Sequence, residues 1–146
     1  MSDAVTVKIE GLKDLEKNLM MLQDQVAGRA LQNALGSASK VIVNEVKKNV
    51  PESAESEYKL YSKETVSRGW LKNQIISKRV RESDLSAQTV VTFKDKKNSF
   101  FWRFLEFGTS KMKAKPFMRK AFESSKQDAV DKFMERLQAN IDKAKK

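Results

Sequence analysis

Phe100–Phe117, FFWRFLEFGTSKMKAKPF, decides how the chain is read. It holds five of the eight Phe residues and one of the two Trp residues, so it must be buried against something, because rings of this size dominate the energetics of cores and interfaces. Gly108-Thr109 turns the chain after the rings, and Pro116 opens a further element at the first turn of a helix. The block is therefore a joint between two parts of the molecule. Its own period fits two readings: Phe101, Phe104, Leu105 and Gly108 suit a short helix capped by Asn98 or Ser99. Phe100, Trp102, Phe104 and Glu106 suit a strand. The helix is the favoured one.

Downstream of the joint, Phe117, Ala121, Ser125, Ala129, Phe133, Leu137 and Ile141 recur every fourth residue, widened by Phe122 and Val130, which predicts a C-terminal helix over 116–144. Lys143–Lys146 complement the negative end of its dipole. Upstream, Trp70–Val80 and Gln88–Lys94 read as two strands of an antiparallel hairpin joined by the turn Arg81–Ser86, with β-branched residues suited to a pleated surface. Before them, residues 51–68 are polar and aperiodic, a loop or arm whose anchors are Tyr58, Leu60 and Tyr61, and which is expected to order against a neighbouring subunit. Glu52, Glu55 and Glu57 within it lack the Asp/Asn and Gly spacing of a calcium loop, so they read as a solvated acidic segment.

The first third supplies the scaffold. Val5, Val7 and Ile9 alternate with Thr6, Lys8 and Glu10, the period of a half-buried strand ended by Gly11. Leu12, Leu15, Leu19 and Leu22 then predict a short amphipathic helix, and Gln23–Gln25 a break. From Val26 an Ala-rich stripe through Ala27, Ala30, Ala34, Ala38, Ile42 and Val46 runs to Pro51, a helix roughly 36 Å long at 1.5 Å per residue. Its small residues let a sheet or another helix approach closely, and the helix is expected to lie across the sheet. The expected fold class is α+β: a small antiparallel sheet, formed by the N-terminal strand and the central hairpin, packed against the long helix, with the C-terminal helix beside it. At 146 residues the chain reads as a single domain, 1–146.

Composition bounds the chemistry. The sequence contains neither His nor Cys, so Ser-His-Asp and Cys-His catalysis, thiolate metal sites and disulfides are all excluded. No GxxxxGK[ST] or GxGxxG run cradles a phosphate. No cofactor is expected, and the protein reads as not an enzyme. Glu106 is the one acid in an apolar setting; a lone carboxylate has no catalytic partner. It is expected to pair with Arg103 or Arg119, or to accept from the N–H groups of the Gly108-Thr109 turn. No apolar run is long enough to cross a bilayer and the start lacks a signal peptide's pattern, so no membrane partner is expected and synthesis in the cytoplasm is. The formal net charge of +10 favours an anionic partner, though the Lys residues are dispersed, with clusters at Lys47-Lys48, Lys94–Lys97, Lys111–Lys115 and Lys143–Lys146.

The order of these pieces resembles the tail-completion, or head-tail joining, proteins of long-tailed bacteriophages and prophages. The resemblance is carried by Leu105-Glu106-Phe107-Gly108-Thr109 and by Pro116-Phe117-Met118-Arg119-Lys120-Ala121-Phe122, following the Leu-spaced helix, the Ala-rich helix and the hairpin. The chain departs from the family pattern before the hairpin, where Ser67-Arg68-Gly69-Trp70-Leu71 replaces a Thr/Ser-Gly-x-Leu approach. The resemblance implies a non-enzymatic virion component that forms a homo-oligomeric ring in the neck, beside head-connector and tail proteins. It implies an interface motif of Phe104, Glu106, Phe107, Gly108, Thr109, Pro116, Phe117 and Arg119. It also gives the charge a role, with Lys111, Lys113 and Lys115 as candidate contacts to phosphates of DNA in the channel, without sequence readout. The competing expectation is a small basic nucleic-acid-binding module acting alone, with Trp70 and Phe93 as stacking platforms.

Overall fold

The computed structural model describes residues 12–83 and 86–145. The strand expected over residues 4–10 lies outside them. The elements follow in the order α1 (Leu12–Met20), α2 (Asp24–Asn49), β1 (Glu57–Lys59), β2 (Thr65–Ser67), α3 (Trp70–Gln74), β3 (Ile75–Ser83), β4 (Ser86–Phe93), α4 (Lys96–Ser99), α5 (Trp102–Phe107) and α6 (Phe117–Ala144). Two antiparallel hairpins and two long helices make the α+β fold expected from the sequence.

Helices α2 and α6 form the frame. They lie antiparallel: Asn140 Nδ2 donates to the Ala30 carbonyl at one end, and Ser124 Oγ donates to Glu45 Oε1 at the other. The facing stripes are small, with Ala27, Ala30, Ala34 and Ala38 buried on α2 and Ala121, Ser125 and Ala129 buried on α6. Small side chains let the two backbones approach closely, and close packing maximises dispersion contact along the whole length. One apolar cluster, Leu15, Ala30, Ala34, Leu137 and Ile141, ties α1 to this pair. A second gathers Val46 of α2, Val50 just beyond its end, Leu71, Ile75, Phe93 and Phe117, and this is where hairpin, joint and C-terminal helix meet.

The central hairpin pairs Ile75 with Phe93, Ser77 with Val91 and Arg79 with Thr89, the register shifting between Arg81 and Ser83. It differs from expectation at both ends. Trp70–Gln74 is a single helical turn and not the start of a strand. Leu71 and Ile75 are both buried while Asn73 is exposed; that is the spacing of a helix face, and Gly69 at φ 87° supplies the left-handed entry that a side chain disfavours. Both strands also run further toward the tip than predicted, to Ser83 and from Ser86.

The polar arm carries structure as well. Glu57 pairs with Ser67 and Lys59 with Thr65 in a short hairpin, and Leu60 and Val66 are buried beneath it. Arg68 closes its base through Nη2 to the Ala54 carbonyl at 2.7 Å and through its own N–H to the Ser56 carbonyl at 2.8 Å.

Candidate functional site

The aromatic joint is built from two short helices. Asp95 caps α4: its carboxylate accepts from Asn98 N–H at 3.1 Å and from Asn98 Nδ2 at 2.7 Å. These bonds hold the Asp95 carboxyl below its ordinary pKa, the side-chain bond from Asn98 being the larger cause. Asn98 and Ser99, expected to cap the aromatic helix, are instead buried inside α4, and α5 starts after Phe101 with no side-chain cap. Asn98 also reaches the arm, its Oδ1 accepting from Ser62 N–H at 3.0 Å.

The rings of α5 and its approach divide into an inner and an outer set. Inside, Trp102 stacks on the buried Phe93 at 5.3 Å between centroids, and Arg103 lies 5.8 Å above the Trp102 ring. Outside, Phe100 meets Phe104 edge-on at 6.0 Å, and Tyr61 meets Phe100 at 5.9 Å. Tyr58 packs on Phe101, so both arm tyrosines rest on rings of their own chain. The outer set remains in water: Phe107 and Tyr61 are each 71% exposed, and Phe100 and Phe104 more than 40%. Tyr61, Phe100 and Phe104 touch in series, and Phe107 stands against Trp102 at 6.3 Å between centroids.

Glu106 points the opposite way, into the interior, and is 7% exposed. Its two carboxylate oxygens accept from Met118 N–H at 2.9 Å and Arg119 N–H at 3.0 Å. Of the expected partners, Arg119 is met through its backbone N–H, Arg103 lies over Trp102, and the N–H groups of the Gly108-Thr109 turn are bonded elsewhere: Gly108 N–H to the Phe104 carbonyl and Thr109 N–H to the Met112 carbonyl. The reason lies in α6. Pro116 stands at its N-cap and has no side-chain acceptor, while the first turn carries Arg119 and Lys120 and no acid. Orphan N–H groups and the positive end of the dipole are thus uncompensated locally, and a carboxylate from another helix supplies the cap.

The turn between the two helices is held just as tightly. Lys115 N–H donates to the Leu105 carbonyl at 2.6 Å, and Thr109 Oγ1 accepts from Lys111 N–H at 3.2 Å. Gly108 sits at φ 74°, ψ 174°, a region essentially reserved for glycine, and a Cβ there would stand 2.7 Å from the Ala114 nitrogen and 2.9 Å from the Met112 carbonyl oxygen. Phe117 is buried behind it, whereas Lys111, Lys113 and Lys115 are exposed along the turn. Phe104, Glu106, Phe107, Gly108, Thr109, Pro116, Phe117 and Arg119 are thereby gathered at one junction of α5 and α6.

The geometry weighs against the stacking-platform expectation. Phe93 is 4% exposed with one face taken by Trp102, and Trp70 is half-buried against the same apolar cluster. Phe93 therefore has no free face for a base, and part of Trp70 is already taken up by the core.

Among the described residues, grooves flank the frame. One, about 490 Å³, is apolar, lined by Leu35, Ile42, Val90, Met118 and Phe122 among others. The second, about 410 Å³ between α2, the β3–β4 hairpin and the end of α6, carries Lys40, Arg79, Arg136 and Lys143. Sequence reasoning missed it, because its cations come from four separated positions. Among the described residues no cluster of three or more acidic side chains could hold a metal ion, and no helix is long and apolar enough to cross a membrane.

No curated protein and no solved structure matches the chain. Residues 13–108, from α1 through α5, match a phage family described as "Bacteriophage HK97-gp10, putative tail-component". A match of that extent covers the Leu-spaced helix, the Ala-rich helix, both hairpins and the Glu106 carboxylate, and on it the chain belongs to the HK97-gp10-like family of bacteriophage tail components.

Proposed function

We propose that the protein is a neck subunit of a phage or prophage particle, acting in tail completion as one copy of a homo-oligomeric ring between the head connector and the tail. The observation that carries this reading is the exposed aromatic ridge of Tyr61, Phe100, Phe104 and Phe107, mounted on a joint that Glu106 and Gly108 lock to α6. A ridge of this kind is costly to leave in water and gains by being covered, and a rigid mount lets it be covered without further loss of conformational entropy. Its binding role is assembly; no step of catalysis enters. Lys111, Lys113 and Lys115, on the exposed turn beside the ridge, are the candidate contacts to genomic phosphates if the turn faces the channel.

The test is Phe107→Ser in the phage or prophage background. Phe107 is largely solvated, so the purified variant should unfold within about 1 kcal/mol of wild type, in line with other surface changes. It should nevertheless fail to enter assembled particles, leaving heads and tails unjoined. Particles that join normally and contain the variant at wild-type stoichiometry would refute the reading, as would wild-type particles that lack the protein.

A further inference from the structure

We infer that the basic groove between α2, the β3–β4 hairpin and α6 receives the acidic arm of the next copy of the same chain. The inference rests on the ring reading above and supplies a second, electrostatic contact for it.

The groove is one-signed. Lys40, Arg79, Arg136 and Lys143 line it and no Asp or Glu does. Among the described residues, none of these four forms an ion pair. An adjoining hollow shares Asn33, Asn140 and Lys143 and adds Arg29, so the positive surface continues toward the start of α2. Arg79 shows that the arrangement is built into the fold. It lies two residues from Ser77 and four from the buried Ile75, on the strand face that turns toward α2, and its guanidinium approaches Gly36, where an added Cβ would stand 3.6 Å from Nη2. Nη2 also donates to Asn33 Oδ1 on the same helix at 3.5 Å. Thr89, opposite Arg79 in the hairpin, brings a buried hydroxyl that has no hydrogen-bond partner.

The complementary group is in the same sequence. Glu52, Glu55 and Glu57 are all exposed and no basic residue interrupts them between Pro51 and Tyr58. Their own chain's groove is out of reach. The arm begins after Val50, and Gly36 lies about 21 Å back along α2 at 1.5 Å per residue. Tyr58 on Phe101, Ser62 on Asn98 and Arg68 on the carbonyls of Ala54 and Glu55 hold the arm at the joint end. An acidic projection at one end and a basic receptacle further along the same face pair are unlike surfaces. Copies joined through them associate head to tail, the kind of contact that closes into a ring. Opposite fields also steer the copies together and fix which patch meets which.

The absence of cysteine makes the test direct. Ser37 lines the groove and Ser56 lies between Glu55 and Glu57, and both are accessible. Ser37→Cys and Ser56→Cys variants, mixed under oxidising conditions, should form a mixed disulfide dimer at least tenfold more than a control pair of Ser37→Cys with Ser110→Cys. Adding Arg79→Glu and Arg136→Glu to the groove partner should cut the yield about tenfold, and adding Glu55→Arg and Glu57→Arg to the arm partner should restore it. That rescue distinguishes an ion-paired contact from a folding defect. If wild type is oligomeric by mass photometry and in particles but this pair cross-links no better than the control, the arm-in-groove contact is wrong and the ring reading stands. If neither oligomer nor cross-link appears, in solution or in particles, both fall. If the groove variant keeps the cross-link but loses retention of a duplex oligonucleotide, the groove serves nucleic-acid phosphate, and the inference is overturned in favour of that ligand.

Discussion

Replacing Glu106 with Ala removes the cap of a 28-residue helix from a position eleven residues before that helix begins. The two bonds it deletes are charge-assisted, 2.9 and 3.0 Å long, and made by a carboxylate that is almost wholly buried. Cap deletions cost about 0.5–2 kcal/mol, and a hydrogen bond to a charged group contributes about 1.5–3 kcal/mol. Met118 is half-buried and its N–H is poorly placed for water, while Arg119 is exposed and water replaces part of its loss. The sum expected for Glu106→Ala is therefore about 2–4 kcal/mol. For a chain of this size that lowers Tm by roughly 5–15 °C. Glu106→Gln keeps one acceptor and the shape but loses the charge that faces the helix dipole, and should cost about half as much. Urea denaturation of the three proteins gives the free energies, and hydrogen exchange locates the loss. Amides of Phe117–Ala121 should exchange faster in the Ala variant while those of Ala30–Ala38 in α2 change only with global stability. An Ala variant within 0.5 kcal/mol of wild type, or equal losses for Ala and Gln, would refute the capping argument.

Three further outcomes follow from the same region. Gly108→Ala should destabilise by about 2–4 kcal/mol, since it combines a glycine-only backbone region with a contact of 2.7 Å to the Ala114 nitrogen; a thermal scan showing unchanged Tm would contradict this. Ser99 is fully buried and its hydroxyl has no partner, so Ser99→Ala should leave stability unchanged or raise it by about 1 kcal/mol, and a clear fall in the urea midpoint would show that the hydroxyl is satisfied. The Asp95 carboxyl is lowered in the folded state by its bonds from Asn98, so the stability it contributes is present in full above the unfolded carboxylate range. That stability is lost as pH falls through the folded value. The gap in urea midpoint between wild type and Asp95→Asn should therefore be largest near neutrality and narrow toward pH about 3, and a gap independent of pH would count against it.

The long elements were legible because they repeat one physical signal many times. The fourfold spacing from Phe117 to Ile141 and the Ala stripe of α2 are each read over several turns, and the structure buries most of the residues they name. The short ones turned on single residues. Trp70–Gln74 alternates well enough to pass as a strand, and only the left-handed Gly69 and the burial of both Leu71 and Ile75 make it a helical turn. Asp95-Lys96-Lys97-Asn98 held a legible N-cap signal, an Asp three residues before the N–H it binds, overlooked beside the rings. The arm hairpin could not be read from a polar composition, because what orders it is tertiary: Tyr58 and Tyr61 on the joint and Arg68 on the chain's own carbonyls. The partners of Glu106 were inaccessible for the same reason. Its chemistry left a basic side chain or backbone N–H groups open as partners; the choice depended on where α6 begins.

The small-residue seam between α2 and α6 has a mechanical consequence. Two helices of 26 and 28 residues whose backbones lie this close have little room to slide or splay, so together they act as a strut roughly 40 Å long. Whatever grips the protein at its two extremities does so across a ruler of constant length. Stiffness of that kind passes load from one end of the molecule to the other without yielding.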